Sequence, residues 1–146
     1  MPPVSSPLDI THVIQLAIAP VFLLSSLGTL LGVFSARLGR IVDRTRVLVE
    51  RRERTKGEPL PRLEEELKVL MRRRVLVNLA IGAGTVAALL VCLLIAVAFL
   101  GGLAELRTGS ALAALFVLAM VAYTGALVAF LREVLLATGH AHVEFH

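Results

Sequence analysis

The sequence predicts an all-α membrane protein: three transmembrane helices, with a cytoplasmic antiparallel helical hairpin between the first and the second, assembled as a homo-oligomer. Three observations carry that expectation. Hydrophobic residues make up 57% of the 146 residues, charged residues only 18%, and mean hydropathy is +0.83; soluble domains carry roughly 25% charged residues. Three apolar runs, at about residues 13–36, 75–100 and 110–131, contain no Lys, Arg, Asp or Glu, and each exceeds the roughly 20 residues that cross a bilayer at 1.5 Å per residue. The charge is gathered between the first two runs, where residues 37–74 hold 13 of the 15 Lys and Arg. The chain is expected to form a single membrane domain, residues 1–146.

The first helix starts at Ser6-Pro7-Leu8-Asp9, a capping-box-like signal with proline at the first helical position. The N-terminus lacks a basic n-region, and arginines rather than a small-residue cleavage site follow the apolar run, so the segment is expected to be retained. Pro20 removes a backbone donor and should kink the helix or divide it. Residues 7–19 would then be a tilted first half or a short helix at the outer surface.

Residues 37–74 face the cytoplasm by the positive-inside rule. The N-terminus and the loop at 101–109 then lie outside and the C-terminus inside. Leu38, Ile41, Thr45 and Leu48 recur at three- and four-residue spacing, as do Leu63, Leu67 and Leu70 after the turn at Gly57-Glu58-Pro59-Leu60-Pro61. That pattern reads as two amphipathic helices paired antiparallel. Glu64, Glu65 and Glu66 could pair across the hairpin with Arg51, Arg52 or Arg54. At the membrane exit, Arg40, Asp43 and Arg44 are spaced to form an ion-paired collar. Arg72, Arg73 and Arg74 read as topology determinants that also attract anionic lipid headgroups.

Two stripes on the first helix carry the most functional information. Ser25, Gly28, Gly32, Ser35 and Gly39 fall on one line; small residues mark close helix contacts in lipid, so this is either a seam between copies or packing against the second and third helices. Gln15, Ser26, Thr29, Arg37 and Arg40 lie on a neighbouring polar line. In an oligomer they would line a central axis, with basic rings at its cytoplasmic mouth. The plainer alternative is that Ser and Thr bond their own helix carbonyls and the arginines sit among headgroups. Asn78 forms a mildly polar face with Gly82 and Thr85 on the second span, and Tyr123 and Thr124 are a comparable pair on the third; each group is expected to make an interhelical hydrogen bond. Cys92, alone inside an apolar run, is expected to behave as a small buried hydrophobe.

No hydrolytic or redox constellation, phosphate loop or intramembrane carboxylate is apparent, so the chain is not expected to be an enzyme and no cofactor is implied. The tail His140, His142, Glu144 and His146 has metal-ligand chemistry but nothing to order it, and no metal is expected. The basic loop also carries 7 acids and no aromatic residues, which argues against nucleic acid.

Residues 14–24, Ile-Gln-Leu-Ala-Ile-Ala-Pro-Val-Phe-Leu-Leu, followed by Arg37-Leu38-Gly39-Arg40-Ile41-Val42-Asp43-Arg44, resemble a family of small bacterial membrane proteins labelled domain of unknown function 2721. The resemblance implies a bacterial inner membrane and no particular activity, and it directs attention to Gln15, Pro20, Arg37, Arg40, Asp43 and Arg44. A single copy would leave its polar line without protein partners, hence the expected homo-oligomer. The functional expectation is a small ion channel lined by the first helix; the alternative is a non-conducting scaffold or accessory subunit whose hairpin binds a cytoplasmic protein.

Overall fold

The computed structural model describes residues 7–54, 61–103 and 107–141. They form α1 (Pro7–Arg54), α2 (Pro61–Leu103) and α3 (Gly109–Ala141), and no strand occurs among them. All three helices are long and apolar enough to cross a membrane. α1 begins at Pro7 and passes through Pro20 without ending, so residues 7–19 are not a separate surface helix. One missing backbone donor inside a long apolar helix costs less than exposing a broken helix end to lipid.

The buried positions obey a seven-residue rule. On α1 they are Pro20, Leu27, Phe34, Ile41 and Leu48; on α2, Leu70, Val77, Gly84 and Val91, beside a second row at Ala80, Ala87, Leu94 and Gly101. On α3 the row is Ala119, Ala126 and Glu133, with Ala129 buried beside it. A sustained heptad keeps one seam of each helix turned toward its neighbours, as in a left-handed coiled coil. α2 packs along both other helices, whereas α1 and α3 approach each other less closely.

Small side chains make the tight packing possible. Ala80, Ala87, Ala119, Ala126 and Ala129 are buried, and in lipid such residues let backbones come close enough for dispersion to hold them. Gly84 sits where all three helices meet: a Cβ there would lie 3.0 Å from Leu31 Cδ2 and 3.9 Å from the Ala126 Cβ. At the far end, α2 closes onto Thr108, where a Cβ on Gly101 would lie 2.6 Å from Thr108 Oγ1. The α3 amide of Leu112 then donates to the Thr108 carbonyl at 3.0 Å.

The apolar core continues into the charged segment. Ile41 and Leu48 of α1 are buried together with Leu70 of α2, and Leu38, Leu63 and Leu67 pack against that cluster. Glu66 accepts from Arg44 Nη2 at 2.8 Å and Arg44 Nε at 3.2 Å, and Arg52 lies 3.7 Å from Glu64. The proposed turn at 57–61 lies, except for Pro61, outside the described residues.

Three expectations change. α3 runs to Ala141, ten residues past the apolar run that announced it. Cys92 is exposed on α2, because its position falls on neither buried row. The small-residue line of α1 does not pack inside the chain: Ser25, Gly28, Gly32, Ser35 and Gly39 are all exposed, and a Cβ added at Gly28, Gly32 or Gly39 would meet nothing within 4 Å. Large apolar side chains such as Phe22, Leu79, Leu89, Leu100 and Val121 also point outward, which suits a lipid solvent and would be an aggregation hazard in water.

Gly84→Leu should overpack the three-helix junction and destabilise by about 1–3 kcal/mol, whereas Gly82→Leu, which meets open space, should leave thermal unfolding in detergent close to that of the parent chain.

Candidate functional site

Glu133 of α3 is the one charged residue among the described residues that is fully buried, with 0% exposure. Its Oε1 accepts from Arg73 Nη2 at 2.8 Å and Arg73 Nε at 3.0 Å, and its Oε2 from Arg37 Nη1 at 3.3 Å. One carboxylate is thus held by α1 and α2 at once. Both Arg73 bonds are charge-assisted and converge on the single oxygen Oε1, which leaves Oε2 to Arg37; such bonds are stronger than neutral ones. Arg37 also lies with its Cζ 5.5 Å from the Phe130 ring centroid, within cation–π range. Phe130 packs at 4.7 Å on Phe34, with the rings inclined by 37°, and so closes the apolar side of the site.

The heptad explains why these three meet. Glu133 follows Ala119 and Ala126 in the buried row of α3. Arg73 precedes Ala80 and Ala87 in the second row of α2, and Arg37 follows Leu23 and Leu30 on the half-buried flank of α1. Each continues an apolar seam by one more heptad with a charged residue, just where the seams leave the membrane-length runs. A charged group in a seam is tolerated only in the register that pairs it. The arrangement fixes the sliding of three helices and carries net charge +1. It offers no nucleophile or free base, since the carboxylate has all its protein partners and no buried polar side-chain atom among the described residues is unsatisfied.

Beside the clamp, Arg37, Arg40, Ile41 and Arg44 of α1 and Leu70 and Arg73 of α2 line a cleft of about 270 Å³. Arg40 is exposed and enters none of the ion pairs among the described residues. Asp43 is exposed and likewise makes none of these pairs; Arg44 turns to Glu66 of α2 rather than to Asp43. A second, apolar groove of about 390 Å³ lies between Ile14, Ile18, Val21, Phe22 and Ser25 of α1 and Phe99 of α2; it holds no group able to do chemistry.

The other singled-out residues are placed as follows. Ser26 Oγ and Tyr123 Oη are hydrogen-bonded at 3.1 Å, linking α1 to α3. Thr29 Oγ1 donates to the Ser25 carbonyl at 3.2 Å, and Thr85 Oγ1 to the Ile81 carbonyl at 2.8 Å. Gln15, Asn78 and Thr124 are exposed. Among the described residues no group of His, Cys, Asp and Glu is arranged to hold a metal; His142, Glu144 and His146 lie outside them.

Sequence reasoning missed Glu133 because it stands two residues beyond the apolar run that ends near 131, and it treated Arg73 as one of three equivalent arginines. The signal was present: Glu133 is seven residues from Ala126 and fourteen from Ala119, on a line of small residues.

Removing Arg73 leaves a fully buried carboxylate with one weak partner, so Arg73→Ala should destabilise by about 3 kcal/mol. Arg37 is 38% exposed and makes one 3.3 Å bond, so Arg37→Ala should cost only about 1 kcal/mol. Denaturant unfolding in mixed micelles measures both, and Arg72→Ala, at an exposed neighbour, should be nearly neutral.

No curated protein and no solved structure matches this chain. A family does, the one described as Protein of unknown function (DUF2721), over residues 17–143. The match takes in α1 from before Pro20, all of α2, and α3 with Glu133. Three membrane-length helices in this order, matched over most of their length by one family, place the chain as a member of the DUF2721 family.

Proposed function

We propose that this chain is a homo-oligomeric, multi-pass protein of a bacterial inner membrane that acts as a non-catalytic scaffold or accessory subunit. Its N-terminus lies outside and its C-terminus in the cytoplasm, and the ends of α1 and α2 form a cytoplasmic antiparallel hairpin that presents a charged surface to a protein partner. The observation that carries the reading is the outward line Ser25, Gly28, Gly32, Ser35 and Gly39. It is the close-packing face of α1 by composition, yet it is exposed among the described residues. A second copy is the occupant that small residues in lipid favour, since the backbones gain dispersion contacts that disordered acyl chains supply poorly.

The channel reading needs polar side chains free to face water along an axis. Ser26 is engaged by Tyr123, Thr29 by its own helix and Arg37 by Glu133, which leaves Gln15 and Arg40 near opposite ends of the crossing. Those engagements favour the scaffold. Among the described residues the seams inside one copy are filled by apolar side chains.

Gly32→Leu tests the assembly without disturbing the fold, because the added side chain meets open space within one copy. Native mass spectrometry should give a closed oligomer for the parent chain and a smaller particle for the variant, with similar unfolding of the separated chain. A parent chain that is monomeric, or a variant of unchanged mass, contradicts the proposed seam.

A further inference from the structure

We infer that the cleft beside the Glu133 clamp binds the phosphate of an anionic phospholipid headgroup, one per chain. Its lining includes four arginines, Arg37, Arg40 and Arg44 of α1 and Arg73 of α2. Among the described residues two carboxylates, Glu133 and Glu66, pair with them, which leaves two positive charges over. Donors are left over as well. A guanidinium has five N–H groups; Arg40 gives none to an ion pair among the described residues, Arg37 gives one to Glu133, and Arg44 and Arg73 each spend Nε and Nη2 on their carboxylates. Arg44 and Arg73 each place two bonds on one carboxylate oxygen and so are held in place before any ligand arrives, which lowers the ordering cost of binding.

The occupant's source follows from what adjoins the cleft. Val33 lies one turn before Arg37 and seven residues before Arg40, on the same face of α1, and is exposed, as is Phe22 further along that face. A charged cleft opening onto an apolar, exposed strip fits a molecule with a phosphate at one end and an acyl chain at the other. Basic pockets between helices at the cytoplasmic membrane surface take such headgroups. The inference rests on the membrane placement proposed above and extends it to a defined lipid site.

The test is native mass spectrometry of the full chain in neutral detergent, titrated with phosphatidylglycerol, phosphatidylcholine or inorganic phosphate. One phosphatidylglycerol per chain should bind more tightly than phosphatidylcholine. Arg40→Gln, which touches no ion pair of the clamp, should weaken phosphatidylglycerol binding about fivefold, while Arg72→Gln, an exposed arginine outside the cleft, should change it little. Equal weakening by both variants would mean diffuse surface charge and overturn the site. Displacement of the lipid by inorganic phosphate at similar concentration would assign the cleft to a free anion and overturn the lipid assignment. The particle mass in the same spectra reads the oligomer separately, so a failed assembly and a failed lipid site are distinguishable.

Discussion

Glu133 is enclosed on all sides by the three helices, and its charge has to be met from α1 and α2. An isolated carboxylate at that depth would cost several kcal/mol. The pairing with Arg73 and Arg37 removes most of that cost only if the three seams stand in one register. α2 packs along both neighbours, but small side chains such as Ala80, Ala87 and Ala126 make a smooth surface that resists sliding poorly. The clamp supplies what the alanines lack, a contact that is right in one position and costly in others. It also joins α1 to α3, which otherwise meet through Phe34 with Phe130 and Ser26 with Tyr123.

The two kinds of small-residue surface do different work. Gly84, Ala87 and Ala126 are spent inside the chain, where they let α2 approach its neighbours. Gly28, Gly32 and Gly39 are not spent at all. Because lipid tails are as apolar as leucine, there is no hydrophobic gain in covering that face, and the proposal made above for its small residues is a surface for another close-packed helix. The basic cleft has a similar logic. Its arginines are placed partly by the clamp and partly by Glu66, so the proposed anion site would be a by-product of the contacts that fix the helices.

Much of the architecture was legible from periodicity and charge. The three helices and the faces Leu38, Ile41 and Leu48 against Leu63, Leu67 and Leu70 follow from apolar spacing, and the start at Pro7 from its capping signal. The Tyr123 hydroxyl, polar inside an apolar run, announced an interhelical bond. Glu133 was not legible by hydropathy, because a carboxylate ends an apolar run whether it faces water or a partner. Only the seven-residue continuation of Ala119 and Ala126 distinguishes the two, and hydropathy averages over it. The same averaging hid the difference among Arg72, Arg73 and Arg74, of which only Arg73 falls on a buried row. Nor does spacing alone say whether a glycine line is turned inward; the Cβ contacts of Gly84 and their absence at Gly32 decide that.

A double-mutant cycle between Arg73 and Glu133 tests the register account most directly. It uses Arg73→Gln, Glu133→Gln and the pair, with unfolding free energies measured in the same micelles. The account predicts strong coupling, about 2 kcal/mol, as for residues sharing one buried ion-pair network. Additive effects, with coupling within about 0.5 kcal/mol of zero, would show that the helices hold their register without the clamp.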